Sequence, residues 1–400
     1  MSGTSDTLDA APAVGVWAEL VGQRAAVHTL RTAATGHGMT HAWLVTGPPG
    51  SGRSNAAIAF AAALQCEQAG CGECQACRTV LAGTHPDLKV VRTAVLSIGV
   101  QGMRDLVLSA SLAPVGRRWQ IIVVEDADRL TDQAANALLK AIEEPAPRTV
   151  WMLCAPTSED VLPTIRSRCR HVNLTTPAAD DVAAFLVRKD AVDPALAAHA
   201  ARASQGHIGR ARALARDPET RTRRHRVVSM PARLTSLGAC LQAATDLVSV
   251  AQEEAAGITV ALDAREREDL DAAYGVVERG RRPREYAPAL AALERTQKQR
   301  AKRQVLDVVD RGLMDLTSVY RDAVGLGLGA TTALVNEDLR EQIAWLAEVS
   351  TPEEHLRRIG AIFTAREQML EFNVPPALAC ESMMVALQIA PSPGAGRGAR

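Results

Sequence analysis

Residues 41–54 read HAWLVTGPPGSGRS, and how this stretch is understood decides the fold. His41–Thr46 is a short, mostly apolar run that predicts a buried strand, and Asn55–Leu64 beyond it predicts a helix. Between them, Gly47, Gly50 and Gly52 let the backbone curl until its N–H groups face phosphate oxygens, with the positive end of the helix behind them. Ser54 stands where a hydroxyl would hold Mg²⁺. A strand before and a helix after separate such a loop from an ornamental Gly/Pro turn. Arg53 departs from the pattern, because these loops carry lysine there. Lysine delivers a compact charge on a flexible stem, whereas the guanidinium is a wide planar fork. The expectation is weak ATP or ADP–Mg²⁺ binding at most, and little hydrolysis.

Outward from the loop, Gln120–Val124 and Val150–Cys154 are further buried strands, separated by helical runs. Strand–helix alternation predicts an α/β domain with a parallel sheet covered on both faces, over residues 14–176. After Pro177 the strands stop. Residues 177–225 read as a small helical domain with a Gly-containing turn at Gln205–Gly209, and 226–390 as an all-α domain. There Val305, Val308, Val309, Leu313, Leu316 and Tyr320 recur at helical spacing as one apolar stripe. Residues 264–304 are dense in charge and read as a solvated helical insertion, with a DNA-binding arm as the alternative. The ends, 1–13 and 391–400, are small, polar or Gly/Pro-rich and are expected to be disordered.

Lys+Arg and Asp+Glu both total 45, so the chain lacks the basic excess of a protein that grips DNA alone. No run of about 18 apolar residues predicts a membrane span. The opening MSGTSDTLDAAPAVG lacks the basic and apolar blocks of a secretory signal, so a cytoplasmic protein is expected.

Four of the eight cysteines, Cys66, Cys71, Cys74 and Cys77, stand at C-x₄-C-x₂-C-x₂-C spacing. Four thiolates so placed can close a tetrahedral Zn²⁺ site with no open position, which is a structural role; an iron–sulfur cluster and free thiols are the alternatives. Residues 123–128, VVEDAD, end the second strand in acids. In phosphate-loop ATPases one acid there holds the metal and a neighbour orients the attacking water. Here the pair is Glu125-Asp126 with Asp128 to spare, or the acids are solvated strand-end caps. Thr164–Cys169, TIRSRC, follows the third strand.

Taken together these residues resemble the AAA+ clamp-loader family, and within it the delta-prime subunits of bacterial DNA polymerase III. Val21-Gly22-Gln23 looks like the adenine-side motif, and Ala82–Asp87 (AGTHPD) is similar to the stretch after the cysteines in that family. Ala134–Pro145 (AANALLKAIEEP) and Ser167-Arg168-Cys169 look like its helix and finger motifs, and Asn373–Glu381 (NVPPALACE) resembles its last collar helix. The resemblance spans about residues 14–390, thins beyond about 220 and is absent from the charged insertion.

It implies an AAA+ core, a helical lid and a collar that joins other subunits, the tau/gamma motors and delta, in a hetero-pentameric ring. That ring places the sliding clamp on primed DNA. It also implies that Arg168 reaches across to the γ-phosphate held by a neighbouring motor, and that Arg104 and Lys140 face DNA inside the ring; a solvated helix face is the other reading of both cations. Two departures from a motor subunit join Arg53 and the Glu125-Asp126 pair, in which the usual order of lengths is reversed. The position of the first γ-phosphate sensor falls on Ala155-Pro156, neither of which offers a side-chain donor. The lid's sensor arginine aligns with Gly209, leaving Arg210 one residue away and turned by about 100°. The expectation is a stator that serves its neighbour. A tau/gamma-type motor, and a free-standing phosphate-loop kinase with a zinc-stapled insertion, are the alternatives.

Overall fold

The computed structural model describes residues 14–92, 97–116, 118–275 and 283–389. The two termini expected to be disordered, and part of the charged stretch, lie outside the described residues. The chain divides into two units, Met1–Arg212 and Ala213–Arg400.

The first unit is built on five parallel strands: β1 (Ala42–Thr46), β2 (Leu88–Val91), β3 (Gln120–Val124), β4 (Thr149–Ala155) and β5 (Arg170–Asn173). Their order is β2-β3-β4-β1-β5, with β1 registered between β4 (Leu44 opposite Leu153) and β5 (Leu44 opposite His171). Helices α1 (Arg24–Ala34), α2 (Arg53–Gln65) and α3 (Gln75–Leu81) come before β3 in the chain, with α4 (Val100–Ala110) after β2. Helix α5 (Asp132–Glu143) links β3 to β4, and the single turn α6 (Pro163–Arg166) links β4 to β5. The helical run α7 (Ala179–Asp190), α8 (Pro194–Ser204) and α9 (Ile208–Arg216) follows, and the division between units falls inside α9.

Alternation along β1 explains the two layers. Trp43 and Val45 enter a core shared with α1, α2 and α3, while Ala42 and Leu44 enter one shared with α4, α5 and α6. Helix α2 is buried almost all round, and its alanines let it lie close on the sheet. Phe60 on it meets Trp43 edge-on, centroids 4.9 Å apart. All five strands run the same way, so the loops leaving β1, β3 and β4 emerge at one carboxyl edge, where open α/β sheets bind ligands.

The second unit is all helix: α10 (Pro218–Val228), α11 (Leu237–Ala273), α12 (Tyr286–Gly327), α13 (Arg340–Val349), α14 (Pro352–Leu370) and α15 (Pro376–Ala386). The stripe on α12 is the core, with Val309, Leu313, Leu316 and Tyr320 fully enclosed by α11, α14 and α15. The charge-dense stretch 264–304 extends α11 and α12 beyond that core as two facing helices. Arg300 ties them together, paired with Asp263 and Glu266 across the gap, and Arg267 reaches Glu294 at 3.3 Å.

Below the stripe lies a buried polar cluster. His355, fully buried, faces Leu346 O at 3.0 Å through Nε2 and Arg358 Nη1 at 3.2 Å through Nδ1. Those partners require a neutral ring that donates from Nε2 and accepts at Nδ1. Burial first, and the Arg358 charge after it, hold its pKa below the ordinary histidine value. A depressed histidine leaves the unfolded chain binding the extra proton below about pH 6.5, so this site withdraws stability as pH falls from there. We expect the helical unit's unfolding midpoint to drop between pH 7 and 5. His355→Gln should flatten that slope while costing about 1–3 kcal/mol at pH 7. Thermal unfolding across pH measures both, and an unchanged slope would contradict the assignment.

Candidate functional site

The loop Gly47–Gly52 leaves β1 at the carboxyl edge with left-handed backbone at Gly50 (φ +81°) and Gly52 (φ +96°). Only glycine takes these angles without strain. The loop's curl is therefore present, and the Gly47 N–H, the Gly47 carbonyl and the Gly50 carbonyl are bonded within the chain. Arg53, first residue of α2, turns back and donates from Nη1 to Gly47 O at 2.9 Å. The Gly47 N–H donates to Pro156 O at 3.1 Å, so the residue pair standing where a γ-phosphate sensor would be holds the loop instead. Ser54 follows at the start of α2, half-buried.

The helical run after β5 closes over the same loop. Ile208 N–H donates to Gly50 O at 3.3 Å, and the His207 side chain lies where a Cβ on Gly50 would come within 2.1 Å of it. His207 is held in turn, its Nδ1 accepting from Arg210 N–H at 3.2 Å at the head of α9. Gln23 joins the third side: its amide donates to Thr175 O at 2.7 Å and its Oε1 accepts from Thr175 N–H at 3.1 Å. Its amide also lies 3.5 Å from Ser51 O. The Ser51 hydroxyl beneath is buried without a partner.

The acids end β3 on the same edge. Glu125 pairs with Arg92 Nε at 3.1 Å, a guanidinium delivered from the end of β2. Asp126 begins the turn after β3, and Asp128 beyond it sits 3.9 Å from Arg129. Burial raises the Asp128 pKa, with the Asp126 charge adding to it and Arg129 and Arg53 opposing. Arg53, Asp126 and Asp128 thus share one electrostatic neighbourhood, and the nearest charged partner of Glu125 is a cation of its own chain.

Arg168 lies away from this pocket, just after α6. Its Nη2 contacts Glu143 Oε1 at 2.8 Å, and its Nη1 donates to Thr164 O at 2.9 Å and Ser167 Oγ at 3.2 Å. Both side chains of the pair stay open to solvent, at 40% and 46% exposure. Its neighbours brace the fold: Arg166 reaches Glu159, Arg170 caps Gly38 O above the Trp43 ring, and Cys169 packs into the core, where burial pushes its thiol up to about 12. Arg104 on α4 and Lys140 on α5 are both exposed, on helices that pack together.

Cys66, Cys71, Cys74 and Cys77 converge, with all four sulfurs within 4.8 Å of one another. Cys66 lies 3.6 Å from Cys71 and 3.7 Å from Cys74. A tetrahedral ion with metal–sulfur bonds of about 2.3 Å needs sulfurs about 3.8 Å apart. Backbone N–H groups of Gln68, Cys74 and Cys77 point at the sulfurs of Cys66, Cys71 and Cys74, each at 3.4 Å. The donor set therefore fits a closed, structural metal site. The turn that carries it packs on the 15–19 segment, where Val16 N–H and Trp17 Nε1 donate to Gly70 O and Ala69 O. Asp87, last residue of the AGTHPD stretch, is buried and accepts from Val115 and Gly116 N–H at 2.6 and 2.7 Å, fixing the loop before β3.

Sequence reading placed the loop, the acids, the cysteines and Arg168, but not Arg92, His207 or Glu143. Arg92 and Glu143 belong to no charge motif that names their partners, and only the sheet order and the packing of α5 on α6 bring them together with Glu125 and Arg168.

Residues 22–178 match the family described as DNA polymerase III, delta subunit. DNA polymerase III subunit delta' of Pseudomonas aeruginosa is 39% identical over 162 residues, 39% of this chain and 49% of the relative. The delta' subunit of Escherichia coli is 34% identical over 188 residues, 46% of this chain and 55% of the relative. DNA polymerase III subunit gamma/tau of Mycobacterium tuberculosis is 35% identical over 160 residues, 39% of this chain and 28% of the relative. The chain spans about half the length of the delta' relatives it matches. The matching stretch holds the phosphate loop, the four cysteines, the acids and Arg168, and over it this chain is similar to the delta' subunits of DNA polymerase III.

Proposed function

We propose that this chain is the stator of a clamp loader: an AAA+ subunit whose own nucleotide site is idle and whose Arg168 completes the ATP site of a neighbouring tau/gamma-type motor. One observation carries the reading. The cation of the phosphate loop, Arg53, is spent on the loop's own Gly47 carbonyl, while Arg168 stands exposed on a different face of the same unit. Residues 177–225 would serve as lid and 226–390 as collar. The partners would be the motor subunits and delta in a five-membered ring, the sliding clamp, and primed DNA tracked through phosphates by Arg104 and Lys140.

The chemistry supports the assignment of roles. Charge spreads over the γ-phosphate oxygens in phosphoryl transfer, and an arginine supplied from outside is worth ~10³–10⁵ in rate, or roughly 4–7 kcal/mol. In the chain's own pocket, ATP would have to displace Arg53 from Gly47 O and His207 from its place over Gly50, and Mg²⁺ would have to displace Arg92 from Glu125. Each rearrangement subtracts from affinity. The gamma/tau similarity favours a second reading, a motor of the same ring. Against it stand Arg53 and the donor-free Ala155-Pro156.

Zn²⁺ would occupy the four-cysteine site as a staple between α2 and α3, holding shape without touching nucleotide.

Three outcomes test this account. Arg168→Ala in the reconstituted loader should slow hydrolysis at the motor site it faces by on the order of 10³-fold or more; unchanged turnover rejects the finger. Purified chain should hydrolyse labelled ATP no faster than buffer, and steady turnover would show that Arg53 had been misread. Elemental analysis should find one zinc per chain. Its removal by chelator, or Cys77→Ser, should lower the unfolding midpoint by roughly 5–10 °C; a metal-free chain of full stability would refute the staple.

A further inference from the structure

The Arg168 guanidinium has a resting place on its own chain, and the residue that provides it has no other charged partner among the described residues. Glu143 is the last residue of α5, followed by Glu144 and Pro145. Two carboxylates at a helix C-terminus sit against the negative end of the macrodipole, with only Lys140 as a basic residue in that last turn. A cation arriving from elsewhere is favoured there, and the one that arrives is Arg168, from the turn after α6. Stopping the helix does not require Glu143, because Pro145 cannot continue it.

We propose that Glu143 is a positioning residue that parks Arg168 in the unassembled subunit and releases it when a neighbour's triphosphate competes for it. The inference rests on the finger role of Arg168 given above. Arg166 and Arg170 reach the backbone carbonyls of Ser158 and Gly38, and Arg168 makes two local bonds of its own through Nη1, to Thr164 O and Ser167 Oγ. Arg168 is held across two elements by one ion pair with both members open to water. Such a pair is weak and salt-screened. It keeps the long side chain off other acids and near one rotamer, yet yields to a ligand carrying several negative charges. The parked geometry makes engagement an exchange of one anion for a stronger one, so a neighbour without triphosphate leaves the finger at rest.

The test uses the full chain, alone and in the reconstituted loader. In the isolated chain, Glu143→Gln should speed exchange of the Arg168 Nη2 protons with water, read by NMR, while Glu144→Gln leaves it unchanged. In the loader, Glu143→Gln should lower KM for ATP about two- to fivefold, with kcat unaltered and the difference fading at high salt. Arg168→Ala and Arg168→Ala/Glu143→Gln should be indistinguishable. If Arg168→Ala disables hydrolysis but Glu143→Gln matches the parent in both proton exchange and KM, parking is overturned and the finger stands. If Arg168→Ala leaves hydrolysis intact, the finger reading falls and parking falls with it.

Discussion

A single hydrogen bond, from the Arg53 guanidinium to the Gly47 carbonyl, organises the first unit's carboxyl edge. A phosphate loop works by leaving its N–H groups and one cation unspent until a ligand arrives. Here the cation is committed and the Gly47 N–H is bound to Pro156. The Gly50 carbonyl meets the N–H that begins α9. The result is a loop with the shape of a nucleotide cradle in which the cation and the Gly47 peptide groups are already bonded within the chain. Its glycines remain necessary all the same, because His207 and Leu174 press on Gly50 and Gly47 too closely for any side chain.

The same unit treats its other arginines differently. Arg92 pairs with Glu125, and Arg170 bonds the Gly38 carbonyl beside β5. Arg92 is exposed as well, but its partner Glu125 is largely covered, whereas the Arg168 pair has both members open to the salt and water that weaken it. Opening a buried pair in that place would leave an uncompensated buried charge, which would hold the side chain fixed. An exposed one leaves it available. The proposed division of labour rests on this difference: cations close the chain's own pocket, and Arg168 would serve elsewhere.

Much of this was legible before any coordinates. β1, β3 and β4 are fully buried central strands, so their sequences are near-continuous apolar runs and announce themselves. The edge strands β2 (LKVV) and β5 (RHVN) are not, because each has a neighbour on one side only and carries charge outward. The cysteine spacing and the glycine loop were readable because geometry dictates them locally. Arg92, His207 and Glu143 were not, since each acts on a residue 33, 157 or 25 positions away and acquires meaning only from sheet order and helix packing. The α12 stripe from Val305 to Tyr320 was visible as periodicity, whereas its buried neighbour His355 gave no sign of the neutral tautomer that its partners impose.

The most direct measurement is the structure of the assembled loader with a non-hydrolysable ATP analogue. The account predicts the Arg168 guanidinium within about 3 Å of the adjoining subunit's γ-phosphate, parted from Glu143, with Arg53 still on Gly47 O. An Arg168 still paired to Glu143 beside a bound triphosphate, or a nucleotide with its metal seated in this chain's own 47–54 loop, would contradict it.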